Sequence, residues 1–258
     1  MYKLSALAVL LAQVGSIVAH GGVVSIGIGG TKYQGWQPYN SPSGQVTAGR
    51  PYSSFDPILS PTASTIHCNN NGESGPSQQT LTIAAGTNIT SYYTQWTHAE
   101  GPYTVYLAAC PRAGAPGLVL QASLGLKSAN RASSVALSIP SNLKAGYYLI
   151  RWETLALHQA NTPQFYPECA QLQVTGGGST VPTSDYLVKI PGAWKASDPG
   201  VTIDIYSTAA QTQTTYVIPG PRIYPDSDPP VKLSPGALRD LQNLMQCIDE
   251  ADTHECGF

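Results

Sequence analysis

His20 follows Ser16-Ile17-Val18-Ala19, small or apolar residues ending in alanine, the kind of site behind which signal peptidase cuts. Lys3 is the only charge before it, and the apolar stretch over residues 4–12 is too short to span a bilayer. Cleavage after Ala19 leaves a histidine with a free α-amine. That amine and the imidazole Nδ1 can close one chelate ring on a metal ion. A second imidazole from elsewhere completes a T-shaped set of three nitrogens, and amine and imidazole donors favour copper. The amine, with a pKa of about 8 in model peptides, must lose its proton to bind, so occupancy weakens in acid. A histidine at a mature amino terminus is also often incidental, so the reading depends on what accompanies it.

Several segments do accompany it, in order. Trp96-Thr97-His98-Ala99-Glu100-Gly101-Pro102 is followed by Tyr106-Leu107-Ala108-Ala109-Cys110. Ala156-Leu157-His158-Gln159-Ala160 precedes Gln164-Phe165-Tyr166-Pro167-Glu168-Cys169. Asp198-Pro199-Gly200-Val201, Ile205-Tyr206 and Tyr216-Val217-Ile218-Pro219-Gly220-Pro221 close the series. Each alone is a weak signal. As an ordered set behind His20 they resemble the fungal lytic polysaccharide monooxygenases of auxiliary-activity family nine, formerly glycoside hydrolase family sixty-one. The resemblance runs from His20 to Pro221 and does not reach the tail.

The resemblance implies a secreted enzyme with one mononuclear copper ion that cleaves cellulose or a related β-glucan oxidatively, at C1 or C4. It implies an external electron donor and O2 or H2O2 as co-substrate. Carried over to this chain, His20 and His98 hold the metal and Tyr166 takes the axial position. His158 and Gln164 orient the oxidant by hydrogen bonds. Cys68 and Cys169 match the pair that ties a long loop to the strand after the axial tyrosine. Tyr216 falls at a substrate-facing position. Tyr33, Trp36 and Tyr39 are further candidates for a flat face that stacks on pyranose rings, with ordinary packing as the alternative.

The chain also departs from the pattern. Family members place the second copper histidine two residues before the glycine; here His98 stands three before Gly101, and Ala99 has the expected place. His67, just before Cys68, is the other candidate. Trp152 replaces a common histidine, and the stretch from His158 to Gln164 is short. A displaced second histidine leaves a rival open: a secreted protein of the same fold that binds copper or polysaccharide without oxidising it. A third reading makes the tail helix a recruiter of partners.

The elements that must position these groups read as strands. Residues 22–28, 80–83, 103–107, 135–139, 146–152, 169–174 and 201–205 are short runs, several of them alternating, bounded by turn residues. With 25 Gly and 21 Pro in the chain and little helical period, this predicts an all-β, immunoglobulin-like or fibronectin-like β-sandwich with long loops. We divide the chain into a signal peptide (1–19), the sandwich (20–221) and a carboxy-terminal extension (222–258). Gly176-Gly177-Gly178-Ser179 reads as a linker or, better, as a loop within one domain. In the extension, Ser234 caps a short helix with Pro235 at its first position and Leu238, Leu241, Leu244 and Ile248 on one face.

The formal charge of −2 without a basic stripe argues against nucleic acid as a partner. No later run is apolar enough for a membrane, and a monomer is expected. Five cysteines leave at least one unpaired or paired between molecules, with Cys110, Cys247 and Cys256 unassigned. Asn88-Ile89-Thr90 is a glycosylation sequon.

Overall fold

The computed structural model describes residues 20–94, 96, 98, 100–110, 117–124, 134–179, 182–213 and 215–224. The expected leader, the helix expected in the tail, Cys247 and Cys256 lie outside the described residues. Alternation in the sequence becomes two packed sheets. One holds β2 (Thr31–Gln34), β1 (Val23–Ile28), β4 (Asn88–Tyr93) and β7 (Ser134–Ser138), in that order. The other runs β10 (Leu187–Val188), β6 (Gly117–Leu124), β5 (Pro102–Ala109), β8 (Gly146–Ala156), β9 (Gln164–Thr175), β3 (Thr80–Ala84). All described pairs are antiparallel except β3 with β9, which is parallel. This is the expected β-sandwich.

The sheets meet over Ile26, Ile89 and Leu137 on one side and Leu107, Ile150 and Leu172 on the other, all buried. The six-stranded sheet is covered on its outer face too. There Tyr106, Leu155 and Phe165 pack with Ile58, Ile66, Trp194, Val201 and Ile205 from irregular segments. Burial on both faces explains why Gln164 to Ala170 reads as a continuous buried run rather than an alternating one.

Two differences from the sequence reading, and one choice between its alternatives, follow from this layering. Residues 201–205 alternate but form no strand; Val201 and Ile205 fill the outer cluster from a turn-rich segment, with Val201 N–H donating to the Asp198 carbonyl. β2, β4 and β6 emerge beside the expected strands, β2 as the partner of β1 across Gly29 and Gly30. Both glycines have positive φ (56° and 84°), as a two-residue hairpin turn requires. Gly177 is no linker residue: a Cβ there would lie 2.1 Å from the Leu143 carbonyl oxygen, so the loop is tucked against the sandwich.

Cys68 and Cys169 form the expected disulfide across 101 residues. Cys110 is exposed and has no disulfide partner among the described residues.

Candidate functional site

β8 and β9 pair in unbroken register from Gly146 opposite Val174 to Ala156 opposite Gln164. That long hairpin ends in the connection carrying His158. Gln164 and Tyr166, two apart on β9, project from the same face. Both are buried, and the Tyr166 hydroxyl donates to Gln164 Oε1 at 2.8 Å. Burial, with Asp56 and Glu168 nearby, pushes the Tyr166 phenol far above its ordinary range, so it stays a neutral donor.

His98 reaches this face although its spacing to Gly101 is one residue off. The Trp96 indole donates to the His98 carbonyl, and its ring packs edge-on against Tyr166 at 4.8 Å and His98 at 5.3 Å. At the loop's other end Gly101 has φ +121°, and a Cβ there would fall 1.7 Å from the Leu155 carbonyl oxygen. Only glycine admits that approach. Leu157 N–H then bonds the Glu100 carbonyl at 3.0 Å, fixing the loop to the end of β8. His98 is 8% exposed, with Nε2 3.4 Å from the Tyr166 hydroxyl.

The other two histidines complete the cluster. His158 stacks on His98 at 3.9 Å with rings 5° from parallel. The His20 ring lies 5.7 Å from His98 and 5.9 Å from Tyr166. Desolvation, then His158 and His20, push His98 down to about 4; desolvation, then His20, lower His158. Both imidazoles are thus neutral near pH 7, with lone pairs free for a cation. His158 Nδ1 is buried with no hydrogen-bond partner among the described residues. The neutral imidazoles of His98 and His158, the latter with its orphaned Nδ1, fit a copper ion with a hydrogen-bonded ligand. Among the described residues no group of three His, Cys, Asp or Glu side chains is placed to hold a metal ion.

The segment after His20 is tightly held. Gly22 N–H donates to Thr94 Oγ1 at 3.1 Å, Thr94 N–H to the Gly22 carbonyl at 3.0 Å, and Val23 N–H to Glu168 Oε2 at 2.9 Å. A Cβ on Gly22 would lie 2.3 Å from Glu168 Oε1, so the carboxyl presses directly on the backbone. Burial raises Glu168 to about 8, against the pull of Val23 N–H and Arg151. Asp56 Oδ1 approaches His20 Nδ1 at 3.4 Å.

His20, His98, His158, Gln164 and Tyr166 therefore come together; other candidates do not. His67 turns its Nδ1 to the Ser64 carbonyl at 3.0 Å. Trp36 is 4% exposed, its indole on the Tyr52 carbonyl, and it belongs to a small core with Tyr52 and Phe55, which removes it from any sugar-stacking face. Tyr33 is half-buried against the inter-sheet core. Tyr216 is half-buried, its hydroxyl donating to the Gly200 carbonyl.

The exposed rings beside the cluster are Tyr39, 67% exposed and joined through its hydroxyl to Phe55 N–H, and Tyr206, whose hydroxyl donates to the His158 carbonyl. Sequence reasoning assigned no role to Trp96, Asp56, Glu168 or Tyr206. Trp96 and Tyr206 stood inside motifs already singled out; nothing marked Asp56.

Comparison with known proteins gives a consistent result. The profile of Auxiliary Activity family 9 (formerly GH61) matches residues 20–216. The chain is 44% identical over 245 residues to an AA9 family lytic polysaccharide monooxygenase B of Heterobasidion irregulare, covering 87% of this chain and 99% of that one. It is 45% identical over 229 residues to an AA9 family lytic polysaccharide monooxygenase-like protein of Agaricus bisporus, covering 81% of this chain and 71% of the relative. Among solved structures, HiLPMO9B superposes with a TM-score of 0.72 at 43% identity, over 80% of this chain and 99% of that one. A cellulose-active polysaccharide monooxygenase from M. thermophila gives 0.72 at 31% identity, over 80% and 99%.

Proposed function

This chain belongs to Auxiliary Activity family 9, and from that footing we propose that it is a secreted, copper-dependent monooxygenase acting on cellulose or a related β-glucan. The observation that carries the reading is the position of His98. Its displaced spacing had left a binding-only protein open, yet its ring lies beside His20 and Tyr166. In the processed chain the His20 amine and imidazole and the His98 imidazole would hold the ion, with the Tyr166 hydroxyl close beside them. Copper there would supply the one-electron chemistry and oxygen activation that side chains lack.

The remaining groups prepare the site. Tyr166, kept neutral by burial, contributes a hydroxyl already committed to Gln164, so it narrows the space beside the histidines without adding charge. Gln164 and His158 offer hydrogen bonds to whatever occupies the open position. The Trp96 indole and Gly101 fix the His98 loop, while Glu168 fixes the backbone behind His20. Tyr39 and Tyr206 present exposed rings suited to the apolar faces of pyranose units, and Tyr216 is held in place by its hydrogen bond to the Gly200 carbonyl. An external donor, O2 or H2O2, and attack at C1 or C4 complete the reading. Asn88 is its glycan acceptor.

Electron paramagnetic resonance of copper bound to protein processed at His20 tests it. We expect three nitrogens, one of them lost in His98→Ala, and oxidised oligosaccharides from cellulose with the wild type only. Identical spectra for wild type and variant would return the binding-only reading.

A further inference from the structure

The four-stranded sheet has a second concavity, at the end of β1 away from His20. Its volume is about 470 Å³, within the range of small-ligand sites. β4 alternates buried and outward residues, so Asn88, Thr90 and Tyr92 share the outer face. In register, Gly27 stands opposite both Thr90 on β4 and Lys32 on β2. Having no side chain, it leaves the gap. The Tyr92 ring closes over it, since a Cβ on Gly27 would lie 2.9 Å from Tyr92 Cε2, and Lys32 Nζ sits 4.2 Å from the ring centroid. Gly29 and Gly30 border the groove with nothing within 4 Å of where their Cβ atoms would be.

Asn88 is itself part of the wall. It is exposed, yet it begins a central strand, with β1 on one side and β7 on the other. A group attached to it must leave across the sheet. On the β7 side Ser138 stands directly opposite and donates to Asn88 Oδ1 at 2.6 Å. On the β1 side Gly27 lies against the Tyr92 ring, and Gly29 and Gly30 beyond it are open, with nothing within 4 Å of their Cβ positions. The lining combines threonine hydroxyls, an ammonium and an aromatic ring, which suits a sugar with polar edges and apolar C–H faces.

We propose that this groove seats the proximal N-acetylhexosamine units of a glycan carried by Asn88. The proposal rests on Asn88 being an acceptor. In that transfer the Asn88 amide nitrogen attacks the anomeric carbon of a lipid-pyrophosphate-linked oligosaccharide. The C–N bond forms, the anomeric C–O bond to pyrophosphate breaks, and the amide nitrogen gives up one proton. The attached sugar then covers Tyr92 and the β1–β2 turn, stiffening the pole of the sheet farthest along β1 from the histidine cluster.

A thermodynamic cycle tests this on protein secreted from a eukaryotic host: wild type, Asn88→Gln, Tyr92→Ala and the double variant, with Lys32→Ala as a second, milder groove change. Intact mass gives occupancy, and thermal unfolding gives Tm. We expect a glycosylated wild type with Tm about 2–4 °C above Asn88→Gln. In the Tyr92→Ala background the glycan remains attached but the increment vanishes, and in Lys32→Ala it shrinks. An unmodified Asn88 would overturn both the acceptor reading and the docking. A modified Asn88 giving no increment, or one unchanged by Tyr92→Ala and Lys32→Ala, would overturn the docking alone.

Discussion

The two faces of the six-stranded sheet are both buried, but they are built differently. The inner face meets a second sheet, and its contacts come from strands whose alternation sets them in advance. The outer face is covered by irregular segments held at a few points. Ile58 and Phe165 exchange backbone hydrogen bonds at 2.9 Å each. The disulfide pins Cys68 to β9, and Arg151 donates to the carbonyls of Ile66 and His67. Phe165 belongs to the outer cluster and Tyr166, its neighbour, to the inner core. The site is thus placed by one layer and walled by the other.

If this division is right, damage to the outer tethers should open the wall before the sandwich. The largest effect is expected from Cys68→Ala/Cys169→Ala. Freeing a cross-link that closes 101 residues should cost about 4–5 kcal/mol on the chain-entropy account. Native-state hydrogen exchange should show residues 58–68 exchanging early while β1 and β4 stay protected. Simultaneous loss of protection in both would dissolve the distinction.

Arg151→Ala should follow, at roughly 3–4 kcal/mol, because it strands the buried Glu153 carboxylate and two loop carbonyls. Burial raises the Glu153 carboxyl and Arg151 pulls it down, so the variant should lose more stability at neutral than at acid pH. Chemical denaturation at pH 5 and pH 7.5 checks this. Arg151→Met/Glu153→Leu should recover much of the loss.

The smallest expected effect sharpens the inner side. His98 titrates at about 4 in the folded protein but at about 6.5 when unfolded. Between these values the unfolded chain binds the extra proton. Metal-free protein should therefore keep this contribution above pH 6.5 and lose up to about 3 kcal/mol as pH falls to 4. His158, also lowered, adds with the same sign. His98→Gln should flatten the profile. Because His98 packs on Trp96 and Tyr166 of the inner layer, the loss should appear as global unfolding rather than local opening.

Legibility followed the same division. β8 and β9 were legible in part, as residues 146–152 and 169–174, while Gln164 and Tyr166 came from the resemblance of their motif; the hairpin register accounts for their sharing a face. His98 was readable as a candidate, but its place beside His20 and Tyr166 was not, since its approach depends on the indole of Trp96 and the close fit of Gly101 under Leu155, which spacing does not encode. Residues 201–205 misled for a related reason. Alternation reports which side chains are buried, not whether a strand lies alongside; Val201 and Ile205 are buried against the outer face from turns bracketed by Asp198 and Ser207. Trp36 misled because an aromatic in a polar, turn-rich stretch looks exposed until Tyr52 and Phe55 close over it.

The hold on Gly22 and Val23 has a practical consequence for anyone making this protein. With Thr94 and Glu168 gripping those two residues, the backbone cannot slide to absorb an added residue. One extra residue ahead of His20 would leave the fold intact and simply convert its amine into a peptide nitrogen. If that amine holds copper as proposed, a purification tag or a retained initiator methionine would yield material that is well folded by every bulk criterion and unable to close the chelate. The grip fixes where His20 stands, so only a chain that starts there brings a free amine to the histidine cluster.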